Sequence, residues 1–166
     1  MNLSRYFRED LIKLEMETVV EPPRDEESID KWRLNSKELI LEELVSLLET
    51  GNRIGNRSKL LIDFVNREKK ATTAIGNGIA IPHIRSMQAK EFIIAFARSQ
   101  QGYDFDSLDG QPAHMFFIMA SPPYDDNFYL KVFKNLSENL QYESFREELM
   151  SLETEGELIR ALRTME

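Results

Sequence analysis

Apolar residues in the first third of the chain recur with helical spacing. Leu39, Ile40, Leu44, Val45, Leu47 and Leu48 fall along one side of a helix that ends before Gly51, and Asn35 with Glu38 three residues later has the spacing of a capping box. A second helix is predicted from about Ser58 to Lys69. It sets Leu60, Leu61, Phe64 and Val65 on one face and Asn66-Arg67-Glu68-Lys69-Lys70 at its end, where cations suit the carbonyl-rich terminus. The period then changes: Thr72, Thr73 and Ile75 lead into Gly76-Asn77-Gly78, and Ile79 and Ile81 alternate after it. An Asn-Gly pair between two β-prone runs predicts a hairpin.

Glu91 to Arg98 and Ala113 to Ala120 follow as strands, with Asp109-Gly110-Gln111-Pro112 marking a turn between them. The second strand is apolar on both faces through Met115, Phe116, Phe117, Ile118 and Met119, so it belongs in the middle of a covered sheet. Beyond Ser121-Pro122-Pro123 the pattern is helical: Phe128 to Leu140, Ser144 to Leu152 and Glu155 to Arg163. Ser144 with Glu147 and Thr154 with Glu157 supply capping-box spacings for the last two. Near the start, Leu11 to Met16 is a short candidate strand and Glu21-Pro22-Pro23-Arg24-Asp25-Glu26-Glu27 an exposed acidic loop. A strand, two helices, several strands and three helices in that order predict an α+β fold, a three-layer α/β/α sandwich with a small mixed sheet and helices on both faces.

Composition narrows the chemistry. A length of 166 residues fits a single domain, 1–166. The net charge of −8 argues against nucleic acid, which is bound by clustered Lys and Arg. Cysteine is absent from the sequence, which excludes disulfides, thiolate catalysis and Cys-ligated metals. No apolar run approaches the roughly 20 residues of a membrane helix, and the segment Met1-Asn2-Leu3-Ser4-Arg5-Tyr6 lacks a signal-peptide pattern. The expectation is a cytoplasmic chain without membrane insertion.

The two histidines are His83 and His114. Pro82 removes a backbone donor, so a strand entering it tends to end there and His83 is expected at a strand terminus, where sites are built on a rigid scaffold. Its imidazole can serve as base, nucleophile or ligand near neutral pH. The plainer alternative is an ordinary hairpin turn followed by an incidental loop histidine, and spacing alone names no reaction. A metal site is not expected, because neither histidine has a carboxylate at a recognised ligand spacing. His114 opens the strand that runs to Ala120 and is expected at the opposite edge, in a structural or surface role.

The string Asn66-Arg67-Glu68-Lys69, followed by Thr72-Thr73-Ala74-Ile75-Gly76-Asn77-Gly78-Ile79-Ala80-Ile81-Pro82-His83, closely resembles the active-site signature of enzyme IIA of the fructose/mannitol type. These proteins belong to the bacterial phosphoenolpyruvate-dependent sugar phosphotransferase system, and the nitrogen-related regulatory enzymes IIA share the family. The resemblance extends more weakly from about Asn35 to the C-terminus, which makes the acidic Pro-containing loop within 1–34 look like an extension. It implies that His83 accepts a phosphoryl group from a phosphohistidine carrier of the HPr type and passes it to an enzyme IIB partner, or signals by its phosphorylation state. No cofactor and no metal are implied.

By the same resemblance Arg67 and Thr73 support the site, with Thr72 keeping a second hydroxyl and Ala74 standing where a glycine is usual. Gly76 and Gly78 are expected to shape the turn and let backbone approach the phosphoryl group. Tyr129 occupies the position of the family's second histidine, and a phenol donates a hydrogen bond but carries no positive charge. Ile84 and Met87 are candidates for an apolar docking rim. Two functions follow: a phosphoryl carrier, which if active is a phosphotransferase component, or a regulatory binding module in which transfer is weakened or lost. The absence of an enzyme IIB or membrane segment within the sequence fits the second as well as the first, and the nitrogen-related regulatory type is the nearest resemblance among standalone members.

Overall fold

The computed structural model describes residues 2–125 and 127–166. Helix α1 (Ile29–Glu49) turns Lys37, Ile40, Leu41, Leu44, Val45 and Leu48 inward, and α2 (Arg57–Lys70) adds Leu60 and Phe64 beside them. The first helix begins well before the predicted capping box. Ser28 is its N-cap, its hydroxyl accepting from the Lys31 N–H, while Asn35 lies exposed within the helix. The early turns run past the edge of the core, so they carry no apolar period to announce them. Leu39, counted in the apolar stripe, is 47% exposed, and its place is taken by buried Lys37.

Six strands form one mixed sheet: β1 (Ile12–Lys13), β2 (Ala74–Gly76), β3 (Ile79–Ala80), β4 (His83–Arg85), β5 (Ile93–Tyr103) and β6 (Ala113–Ser121). Their order is β1-β5-β6-β3-β2, with β4 also on β6. The predicted strand over Leu11 to Met16 shrinks to the two residues of β1, parallel to β5. Strand β6 lies centrally, as its two apolar faces require. Phe116, Ile118 and Ala120 pack toward α1 and α2, while Met115, Phe117 and Met119 pack toward α3 (Phe128–Asn139), α4 (Glu143–Ser151) and α5 (Glu155–Thr164). Helices thus cover both faces, giving the three-layer sandwich.

The helix starts near the C-terminus divide. Thr154 caps α5 through its hydroxyl, which accepts from the Glu157 N–H, but α4 begins at Glu143 with no side-chain cap. The segment before α1 is more than an added tail. Leu3, Phe7, Leu11 and Ile12 are buried, and β1 pairs along β5, so the N-terminal residues close one edge of the sheet.

Candidate functional site

The hairpin forms as the Asn-Gly pair predicts. Asn77 and Gly78 take φ of 57° and 78°, the left-handed pair that a tight turn between twisted strands requires, and β2 and β3 run antiparallel on either side. The Asp109 carboxylate accepts from the Asn77 N–H at 2.9 Å, and this bond, with others from the backbone of Gln111 and the Ser107 hydroxyl, holds the carboxyl below its usual range. From the turn the chain runs along β6 with one register, Ile79 opposite Met115, Ala80 opposite Phe116, His83 opposite Met119 and Arg85 opposite Ser121. Pro82 therefore interrupts an extended segment without ending it. Its carbonyl still accepts from the Met119 N–H at 2.9 Å, and its missing donor is tolerated at the edge of the sheet.

That register locates His83. It opens β4 at one end of β6, whereas His114 sits at the other end, its Nδ1 3.0 Å from the Ser99 carbonyl and its ring packed over Gly102. The Gly76-Asn77-Gly78 turn also lies at the His114 end, since Gly78 and His114 are neighbours. Five extended residue steps lead from Gly78 to His83, about 16 Å. The glycines shape the turn, and their backbone does not reach a group on His83.

His83 is half-buried, with Nδ1 2.7 Å from the Ile81 carbonyl oxygen. In the neutral ring Nδ1–H donates to that carbonyl, which leaves the Nε2 lone pair as the reactive position. Burial is the largest influence on its acidity and pushes the pKa below 6.5; the Arg67 cation lowers it as well, against upward contributions from the Ile81 bond and the Glu68 carboxylate. The ring is neutral and nucleophilic at pH 7. Arg67→Gln is expected to raise the His83 pKa, read from the imidazole resonances in a pH titration; a fall would show that the arginine charge does not act on the ring. Because the folded pKa is depressed, the unfolded chain holds this proton more tightly, so His83 makes stability decline as pH falls from near 6.5 toward the folded value.

Tyr129 and Phe133 project from α3 toward the imidazole, with ring centroids 6.2 and 5.0 Å away. Tyr129 lies stacked at an interplanar angle of 29°. Residues two apart on a strand share a face, so His83 and Arg85 both point toward α3, and the Arg85 guanidinium sits 4.7 Å from the Tyr129 ring centroid while donating to Asn127 Oδ1 at 2.7 Å. Arg67 closes α2 by donating to the Ala71 carbonyl at 2.7 Å.

Thr73 is placed close to the site through the bond from the Ile81 N–H to its carbonyl, but its hydroxyl donates to the buried Glu68 carboxylate. Glu68 also accepts from the Thr73 N–H and from Lys37 Nζ, the latter at 3.0 Å. Thr72 donates its hydroxyl to the Phe105 carbonyl. Both threonine hydroxyls are thus committed to structure, and Thr73 acts by fixing β2 rather than by pointing a donor at His83. Of the two rim candidates, Ile84 packs inward against the α1 and α2 side and Met87 is 77% exposed. Exposed Ile62 and Met87 line one shallow surface hollow, together with Lys59, Arg85 and Pro123. Sequence reasoning gave no role to Lys37, Glu68 or Arg85. The helical offset of Lys37 from Ile40, Leu41 and Leu44, and the two-residue offset of Arg85 from His83, were signals that could have found two of them.

The family profile described as "Phosphoenolpyruvate-dependent sugar phosphotransferase system, EIIA 2" matches residues 25–165. The chain belongs to that family. It is 33% identical over 141 residues to the fructose-specific EIIA component of Haloferax volcanii, covering 85% of this chain and 84% of that protein. Against the fructose-specific EIIABC component of Bacillus subtilis the identity is 37% over 123 residues, which is 74% of this chain and only 19% of the longer relative. The crystal structure of the nitrogen regulatory protein IIA-Ntr from Neisseria meningitidis superposes with a TM-score of 0.82 at 26% identity, over 98% of this chain and 99% of that one. The fold is that of an EIIA domain, and the role is that of a phosphoryl carrier or regulator within the phosphotransferase system. Among the described residues no helix is long and apolar enough to cross a membrane, and no group of His, Asp and Glu has the arrangement of a metal site.

Proposed function

We propose that His83 accepts a phosphoryl group from the phosphohistidine of an HPr-like carrier. Its Nε2 lone pair forms a bond to phosphorus as the donor's N–P bond breaks, and that bond's electron pair returns to the donor ring nitrogen. No proton moves in this step, because Nδ1–H stays on the Ile81 carbonyl. The observation that carries the reading is this contact: at pH 7 it pairs a neutral ring with a fixed tautomer and leaves one nitrogen available. Exposed Met87 and Ile62, which share one surface hollow, supply apolar contacts on which a carrier docks transiently. The acceptor of the next transfer is an enzyme IIB-type protein or a regulatory target; in the B. subtilis relative, as its name states, EIIA shares one chain with B and C components.

The second reading, a regulatory module with weakened transfer, is favoured by Tyr129. The phenol stacks on the imidazole and has no charge to give to phosphoryl oxygens. The two readings separate on incubation with phosphoenolpyruvate, enzyme I and HPr, or with their nitrogen-branch counterparts. The carrier reading predicts acid-labile phosphate that His83→Ala abolishes, and it fails if none appears. Tyr129→His is expected to speed labelling; an unchanged rate would place any slowness elsewhere than at that ring.

A further inference from the structure

We infer that Arg85 is a further catalytic residue of this site: its guanidinium binds the phosphoryl oxygens once phosphorus is attached to His83 Nε2. The inference rests on the proposal that His83 is the phosphoryl acceptor. A phosphoryl group in transfer spreads negative charge over three equatorial oxygens, and transfer is fast only where positioned donors or cations meet them. The described structure brings two arginines to the neighbourhood of His83. Arg67 extends from the last turn of α2, the helix on the opposite face of the sheet from α3 and Tyr129, and donates to the Ala71 carbonyl there. Arg85 is differently placed.

Three observations converge on Arg85. It follows His83 by two residues in β4, and the strand's register on β6 is regular from Met119 to Ser121, so both side chains leave the same face about 6.6 Å apart at the backbone. Its guanidinium is held over the Tyr129 ring, 4.7 Å from the centroid, and that ring is the one stacked against the His83 imidazole. Asn127 then fixes the fork by accepting from one terminal nitrogen, Nη2, at 2.7 Å. An arginine has five N–H donors in a planar array suited to two oxygens of one phosphate, so a single bond to Asn127 orients it without exhausting it. The phenol is therefore a platform: it cannot offer charge itself, but it holds a side chain that does. This assigns a task to Tyr129 and Asn127 as positioning residues and to Arg85 as the cation.

The test loads His83 chemically, with phosphoramidate, so that no protein donor is needed, and follows the 31P resonance of the phosphohistidine through a pH titration. The signal that vanishes in His83→Ala is the one to follow. A guanidinium in contact with the phosphoryl group lowers its second ionisation. Arg85→Gln is expected to raise that apparent pKa and to slow uptake from the phosphorylated carrier by about tenfold or more, given the size of effect seen when one oxyanion donor is removed. Arg85→Lys, which keeps the charge, is expected to restore most of the shift, and a merely structural role would move neither curve. An Arg85→Gln titration that overlays the unsubstituted protein's overturns the inference even if carrier-dependent uptake is normal. An Arg85-dependent titration without any uptake from the carrier overturns the carrier reading and leaves the contact standing. Failure of phosphoramidate to load His83 overturns both.

Discussion

Glu68→Ala is expected to destabilise the fold by about 3–5 kcal/mol, the usual cost of leaving the other member of a buried ion pair without a counter-charge. The Lys37 side chain is 6% exposed and that of Glu68 1%, with the ammonium 3.0 Å from the carboxylate and 4.8 Å from the Phe105 ring centroid. Removing the carboxylate leaves the buried ammonium without a counter-charge, with the Thr72 hydroxyl 3.4 Å away as its remaining acceptor, and leaves the Thr73 hydroxyl and N–H without theirs. Each kcal/mol lowers the melting temperature of a chain this size by roughly 2–4 °C, so the loss is easily read by thermal or urea unfolding. The double variant Lys37→Met with Glu68→Leu is expected to recover much of it, since two apolar residues leave no buried charge. A Glu68→Ala cost below about 1 kcal/mol, the level of an exposed pair, would show that the pair is solvated and does not organise the site.

The second large effect falls on function with little on stability. His83→Gln keeps a polar side chain of similar reach on a half-buried strand position, so unfolding is expected to shift by no more than about 1 kcal/mol. Phosphoryl uptake from the carrier is expected to fall below detection, because an amide nitrogen has no lone pair available for attack on phosphorus. His114→Gln should leave uptake intact, since that ring lies beside Gly102 and Gly78 at the other end of β6. Uptake that survives in His83→Gln and disappears in His114→Gln would reverse the assignment of the two histidines.

Much of this arrangement was legible in the residues. The two-sided apolar run of β6, the Asn-Gly turn and the helical periods of α2 and α3 each carry a local signal strong enough to survive folding. The start of α1 was missed because its early turns reach beyond the core, and Lys37 broke the apolar pattern while sitting in the buried stripe. A buried lysine becomes intelligible only when Glu68, 31 residues away, is seen beside it. His83 stood out from its motif, but the motif also suggested that the glycine turn reaches the phosphoryl group. The unbroken register along β6 shows instead that the turn is at the far end. Arg85 acquires its meaning from Tyr129 and Asn127, which follow it by more than 40 residues.

With Nδ1 of His83 held on the Ile81 carbonyl at 2.7 Å, the phosphoryl group is expected on Nε2. Phosphorylation by the carrier of protein labelled with 15N in its histidine rings, followed by 1H–15N long-range correlation with 31P coupling, identifies both the residue and the nitrogen. The expected result is a single phosphohistidine, at His83 Nε2. Phosphate at Nδ1, on His114, or on neither histidine would contradict it.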